Sequence, residues 1–257
     1  MVSCRLKGGL GNQMFQIAAT YSLSKELNTN FSFDFDDCYT PNQGFVSNKY
    51  KENIFKNIPN SKINFVGMGR YLEPSFGYSK ITCEDNTVID GYFQSEKYFD
   101  SYEKEIKNLF YFDEDIKNKV KTYLDDIKKN KKITTIHVRR GDYLKNPYYH
   151  SICPLEYYVS SMKNIENSVF LFLSDDLNWC KENFVGKDIY FSEFDSEIMD
   201  FYSMTQSDNN IISNSSFSWW GSYLNETNGI TIAPKEWFGP LGPKDVKDLY
   251  NKNWIII

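Results

Sequence analysis

The chain has 257 residues, 41% of them hydrophobic, enough for one large domain or two small ones around an ordinary core. A net charge of −5, from 29 Lys and Arg against 34 Asp and Glu, argues against an extended nucleic-acid footprint but leaves room for a local anion site built on a few cations. Five cysteines, odd in number and with no C-x-x-C pair, point to a reduced cytosolic compartment, and two histidines are too few for a zinc site or a well-supplied Ser-His-Asp triad.

The first residues contain no apolar run of signal-peptide length, and no window approaches a membrane span, so a soluble chain is expected. Val2 to Lys7 reads as a short strand. Gly8-Gly9-Leu10-Gly11-Asn12-Gln13 then opens a helix whose apolar face is Met14, Ile17, Ala18 and Tyr21. A strand, glycine turn and helix in that order let a phosphate or sugar approach the backbone at the positive end of the helix. The same turn admits a dinucleotide reading, weakened because Met14 stands where the third glycine of G-x-G-x-x-G belongs. Asp34 and Asp36 would be its ribose-binding acids, or plain carboxylates at a strand end. Tyr39 to Asn86 is polar, aromatic and irregular, and predicts loops and short helices. Val88-Ile-Asp-Gly-Tyr-Phe-Gln-Ser95 reads as a strand running into a loop, where Tyr92 and Gln94 either bond a polyol or close a turn. A helix from about Glu114 to Ile127 ends in Lys128, Lys129, Lys131 and Lys132, a solvated helix end and domain connection.

Lys132 to Val138 is a β-branched run suited to a buried strand, and it stops abruptly at Arg139-Arg140-Gly141-Asp142. In open α/β sheets ligands collect beyond the carboxyl ends of strands, and a planar guanidinium suits phosphate, so this tip reads as an anion site. An ion-paired strand end, with Asp142 neutralising one arginine, has equal weight on these residues alone. Tyr143 to Pro154 is a loop holding His150, followed by an amphipathic helix marked by Leu155, Tyr158, Val159 and Met162. Val169 to Leu173 is a further strand, ending in Ser174-Asp175-Asp176. Ile189 to Ser192 is another, and Ile198, Phe201, Tyr202 and Thr205 mark a helix. Asn210 to Ile212 runs into Ser213-Asn214-Ser215-Ser216, whose hydroxyls either cap the next helix, from Phe217, or join its amides in an anion site. Gly229 to Ala233 is the last clear strand. This alternation predicts an α/β protein of two halves, 1–128 and 129–257, each with a parallel sheet, facing a cleft.

His137-x-Arg139-Arg140-Gly141-Asp142, Ser174-Asp175-Asp176 and Ser213 to Gly221, together with Gly8 to Gln16 and Gly91-Tyr92-Phe93-Gln94-Ser95, occur in an order that resembles the α-1,2-fucosyltransferases of glycosyltransferase family eleven. The likeness covers nearly the whole chain. It implies a GT-B type fold of two Rossmann-like domains, the N-terminal one, with the Gly11 turn, on the acceptor side and the C-terminal one holding GDP-fucose. By that likeness Arg139 binds the β-phosphate, Arg140 supports it, and His137 lies near the nucleotide. Asp175 or Asp176 accepts hydrogen bonds from guanine, while Ser215, Ser216 and Phe217 hold phosphate and flank the nucleotide. Asn12 reaches the fucose or the acceptor hydroxyl. Asp142 is the nearest carboxylate for a general base, or else orients the arginines; His150 is an outside candidate.

The implied reaction is an inverting transfer of L-fucose from GDP-β-L-fucose to the 2-hydroxyl of a terminal galactose, with no metal and no cofactor beyond the donor. Its acceptor would be a galactose-terminated oligosaccharide or lipid-linked glycan of a bacterial surface polysaccharide such as an O-antigen. Cytoplasmic location, at most peripheral inner-membrane contact and no nucleic-acid partner complete the expectation. Three readings compete: the same class with another sugar, acceptor or linkage; a Rossmann NAD(P) oxidoreductase on the Gly8–Gly11 turn; and a non-catalytic carbohydrate-binding module using the 19 Tyr and 20 Phe. The last leaves the two arginines unexplained.

Overall fold

The computed structural model describes residues 1–40, 44–227 and 229–257; residues 41–43, within the stretch expected to be irregular, and Asn228 lie outside it. The chain forms two compact units, 1–112 with 245–250, and 113–244 with 251–257. The boundary drawn at residue 128 from the lysine run therefore moves to 112.

In the first unit β1 (Val2–Cys4), β4 (Gly69–Leu72) and β5 (Thr87–Asp90) make a parallel sheet with β5 at its centre. Helix α1 (Leu10–Glu26) follows β1. It departs from the amphipathic reading: Gln13, Gln16, Thr20, Ser22 and Ser24 are buried along with Met14, Ile17 and Ala18, while Tyr21 is only half-buried. Each of its buried amides has a partner. Gln16 clasps the backbone of Lys7, accepting from its N–H and donating to its carbonyl, both at 2.9 Å, and Gln13 donates to the Gly8 carbonyl at 2.8 Å. The segment expected to be irregular holds an antiparallel pair, β2 (Cys38–Thr40) with β3 (Gly44–Val46), as well as β4. Phe33, Phe35 and Phe55 stack nearly parallel at 6.0 and 5.8 Å, filling this part of the core without a periodic pattern to announce it. Asp34 and Asp36 serve local turns, Asp34 accepting from the N–H of Asp36 and of Ile63 and Asp36 pairing with Lys51. A short helix, α2 (Glu103–Lys107), completes the unit.

The second unit opens with α3 (Glu114–Lys128), capped by Asp113 and ended by Lys129 in the left-handed region at φ 43°. It then alternates: β6 (Lys132–Val138), α4 (Leu155–Lys163), β7 (Ser168–Ser174), α5 (Leu177–Asn183), β8 (Ile189–Phe191), α6 (Glu197–Gln206), β9 (Asn209–Ile211), α7 (Ser216–Tyr223), β10 (Thr231–Ala233) and β11 (Ile255–Ile256). The short helix α5 and the edge strand β11 were not expected. All six strands are parallel, in the order β11-β10-β9-β6-β7-β8. From β6 the chain steps to β7 and β8, then returns to β9 on the other side of β6. The strand order thus reverses between β6 and β9, the place where such sheets leave room for a ligand at their carboxyl edge. From Ile133 to Val138, β6 is buried, as its apolar and β-branched run requires.

Because Ile136 is fully buried at the middle of this sheet, Ile136→Ala should cost about 2–5 kcal/mol of stability, read from urea unfolding, with the denaturant slope unchanged.

Candidate active site

The site in the second unit is made by strand register. Val138 pairs with Ser174 at the ends of β6 and β7, so Arg139-Arg140 and Asp175-Asp176 leave the sheet side by side. Arg139 donates to Asp142 Oδ1 at 2.7 Å and to Asp175 Oδ2 at 2.9 Å. Arg140 donates through Nε to Asp176 Oδ2 at 3.1 Å and through its backbone N–H to Asp175 Oδ1 at 2.9 Å. Its guanidinium also lies over the ring of Trp179, 4.2 Å from the ring centre. Asp176 caps α5, accepting from the Trp179 N–H at 3.2 Å. Gly141 is required by this crowding, because a Cβ there would stand 2.5 Å from Asp175 Oδ2.

Every oxygen of Asp175 and Asp176 is engaged. In this arrangement both carboxylates hold the arginines. Asp142 likewise faces Arg139. The two alternatives posed by the sequence coexist: the strand end is ion-paired, and its arginines keep further N–H donors. Three carboxylates face two guanidinium groups, and Asp142 is the most exposed of the three.

On the other side of β6, His137 donates to or accepts from Ser213 Oγ at 2.8 Å through Nδ1, and its ring lies 5.1 Å from that of Phe217. Burial, with the Arg139 charge adding to it, pushes its pKa down to about 3, so the imidazole is neutral. Phe217 packs in turn on Phe201 at 5.2 Å. Asn214 fixes the segment, donating to the carbonyls of Ser151 and Trp237 at 2.7 and 2.8 Å. Ser215 is the N-cap of α7 in extended backbone, with no side-chain cap and no acid in the first turn, so the amide end of α7 is electrostatically open. His137, Arg139, Arg140, Asp142, Asp175, Asp176, Ser215, Ser216 and Phe217 thus share one edge of the second sheet. His150, the outside base candidate, is stacked on Tyr143 at 4.2 Å, and burial lowers its pKa.

The sequence reading missed Asp200. It lies on α6, partly buried, and accepts from Ser192 Oγ just beyond β8. Burial raises its pKa to about 6 against the lowering effect of the Ser192 bond, with Glu197 adding to the rise. The signal was an acid directly beside Phe201 in a helix otherwise read for its apolar face.

Gly11 and Asn12 belong to the first unit, in the opening turn of α1. Gly11 is buried, and Asn12 accepts from Gln94 Nε2 at 2.6 Å. Nearby, Asp90 at the end of β5 pairs with Lys7 at 2.7 Å and Arg70 at 2.6 Å, and Lys7 lies over the ring of Tyr92.

Two Rossmann-like α/β units, the second with cationic groups and an open helix end at its carboxyl edge, define a GT-B type glycosyltransferase. The chain belongs to glycosyl transferase family 11, whose model matches residues 1–257. It is 31% identical to the O-antigen biosynthesis glycosyltransferase WbnK of Escherichia coli, over 93% of this chain and 95% of that protein. It is 33% identical to an α-1,2-colitosyltransferase of Escherichia coli, over 93% and 92%. Among solved structures, the fucosyltransferase NodZ from Bradyrhizobium has a similar fold, with a TM-score of 0.58 at 12% identity over 86% of this chain and 91% of that one. POFUT1 in complex with GDP has a TM-score of 0.53 at 11% identity over 90% and 95%. Among the described residues no helix is long and apolar enough to cross a membrane.

The depressed pKa of His137 has a testable consequence. The unfolded chain binds its proton near the ordinary value of 6.5 and the folded chain only near 3, so the stability it contributes is complete above 6.5 and lost as pH falls towards 3. His137→Gln should lose less stability than the wild type when thermal unfolding is followed downward through that window.

Proposed function

We propose that this protein transfers L-fucose from GDP-β-L-fucose to the 2-hydroxyl of a terminal galactose in a bacterial surface glycan, inverting the anomeric centre and using no metal. The observation that supports it most is the Arg139 guanidinium, fixed by two carboxylates at the end of β6 beside the open end of α7, in a chain of glycosyl transferase family 11. Departure of the diphosphate builds negative charge, and a preorganised guanidinium there lowers the barrier by roughly 3 kcal/mol or more. Arg139 is accordingly the catalytic group, with Arg140 supporting it. Ser215, Ser216 and the first amides of α7 hold phosphate oxygens, and Phe217 and the neutral His137 flank the nucleotide. Asp142, Asp175 and Asp176 are positioning residues for the arginines. Asn12, on the Gly11 turn, contacts an oxygen of the sugar.

Guanine presents donors at N1 and the exocyclic amine, and the carboxylate suited to them is Asp200, partly buried and in no ion pair among the described residues. Asp200→Asn should therefore weaken GDP binding at least tenfold while raising stability. The sign follows from its pKa: the folded chain holds the proton up to about 6 and the unfolded chain only to about 3.8, so burial of the charge costs stability above 6 and nothing below 3.8. The gain in unfolding midpoint should be present near neutral pH and vanish as pH falls through that window.

A second reading keeps the enzyme class and changes the sugar, favoured by the 33% identity to a colitosyltransferase. A donor panel separates the two. Mass spectrometry of products from GDP-fucose and small galactosides, in EDTA, should show one added deoxyhexose. Arg139→Ala should lose at least a hundredfold in rate while remaining folded. Transfer only with a divalent cation, or normal rates in Arg139→Ala, would overturn the mechanism.

A further inference from the structure

The turn after β5 is built with more care than a connection requires. Glu73, which follows β4, is half-buried and forms no ion pair among the described residues. Its carboxylate instead accepts from the backbone N–H of Tyr92 at 2.6 Å and of Phe93 at 3.1 Å. Burial raises its pKa against the lowering effect of those bonds, so the interaction holds a charge where solvent would not. Gly91 leaves the room this needs, since a Cβ there would stand 2.4 Å from the Glu73 side chain. Phe93, fully buried, sits at φ 52°, a left-handed conformation that is unfavourable for a non-glycine residue and persists only when its surroundings hold it. The product of these constraints is the position of the next side chain. Gln94 donates through Nε2 to Asn12 Oδ1 at 2.6 Å, across 82 residues of sequence.

That bond decides which way the Asn12 amide faces. With Oδ1 occupied, Asn12 offers only its Nδ2 donors, and Gln94 keeps its Oε1 as an acceptor; neither group has a partner among the described residues. The pair therefore presents one donor and one acceptor, the complement of a sugar hydroxyl. We propose that Gln94 is a positioning residue for the transfer: it fixes Asn12 as a hydrogen-bond donor to an oxygen of the bound sugar, and Glu73 holds the turn that carries it. Asn12 then neither accepts the acceptor proton nor rotates to do so. The inference rests on the reading of Asn12 as a residue that contacts the sugar.

The test is steady-state kinetics on the full chain with GDP-fucose and a galactoside, with GDP affinity and unfolding midpoint measured for each variant. Gln94→Met removes the donor without adding a charge. Gln94→Glu lets the Asn12 amide turn over and satisfy the new carboxylate, so the pair stays bonded but presents the wrong group. Both should lower kcat at least tenfold with KM for GDP-fucose and GDP affinity within twofold of wild type, and with the GDP-binding stoichiometry and unfolding midpoint of wild type, which a loss of folded protein would lower. Glu73→Gln, which removes the charge and leaves one accepting oxygen for the two N–H groups, should lower kcat by a smaller factor. Combined with Gln94→Met it should give no further loss, because the two act through one side chain. Normal kcat in both Gln94 variants, or multiplied losses in the double variant, would overturn the proposal. Asn12→Asp distinguishes the underlying reading: it keeps the Gln94 bond but lacks the donor. If Asn12→Asp is fully active, Asn12 does not donate to the sugar and both fall; if it is inactive while Gln94→Met and Gln94→Glu are normal, only the positioning role falls.

Discussion

The second unit depends on one registration, Val138 against Ser174. It sets two arginines beside two aspartates where β6 and β7 leave the sheet. A shift of one residue would turn every side chain of β6 to the opposite face and leave four charges without partners at a partly buried edge. The hydrophobic run of β6 and the polar tip are thus one constraint seen twice. The buried Ile136 and Val138 fix the register, and the register builds the cationic site. The ion pairs are weak evidence for stability, since part of their charge faces solvent. Their value lies in direction: Arg139 is held from two sides, by Asp142 and by Asp175.

Two groups mark where solvent is excluded around this edge. His137 is kept neutral by burial, and Asp200 has its acidity weakened by burial. Burial is the first cause of both shifts. Asp142, Asp175 and Asp176, the carboxylates of the cluster, all face the two guanidinium groups.

Much of this was legible in the amino-acid order. The strand Lys132–Val138 announced itself because β-branched residues ended abruptly in charges, and the sheet edge that gathers Ser213 to Phe217 followed from alternating strands and helices. What was hidden had physical reasons. The arginine partners of Asp175 and Asp176 lie some 35 residues away, and only register brings them together. Asp200 looked like solvent-facing polarity in an amphipathic helix. Helix α1 was read as two-faced, although its glutamines are buried and satisfied by backbone groups. β4, β2 and β3 were lost in a stretch whose core is aromatic stacking, which leaves no period of two, and β11 is too short to show one. The boundary at 128 followed a lysine run, whereas the contacts of α3 with α6 and β6 place that helix in the second unit.

The account's central claim is that a nucleoside diphosphate is held through its terminal phosphate by Arg139. Calorimetric titration of GDP and GMP into the wild type and Arg139→Ala tests this most directly. The account predicts that GDP binds at least tenfold more tightly than GMP, and that Arg139→Ala erases this difference while GMP affinity stays within twofold. Equal affinity of the wild type for GDP and GMP, or an unchanged preference for GDP in Arg139→Ala, would contradict it.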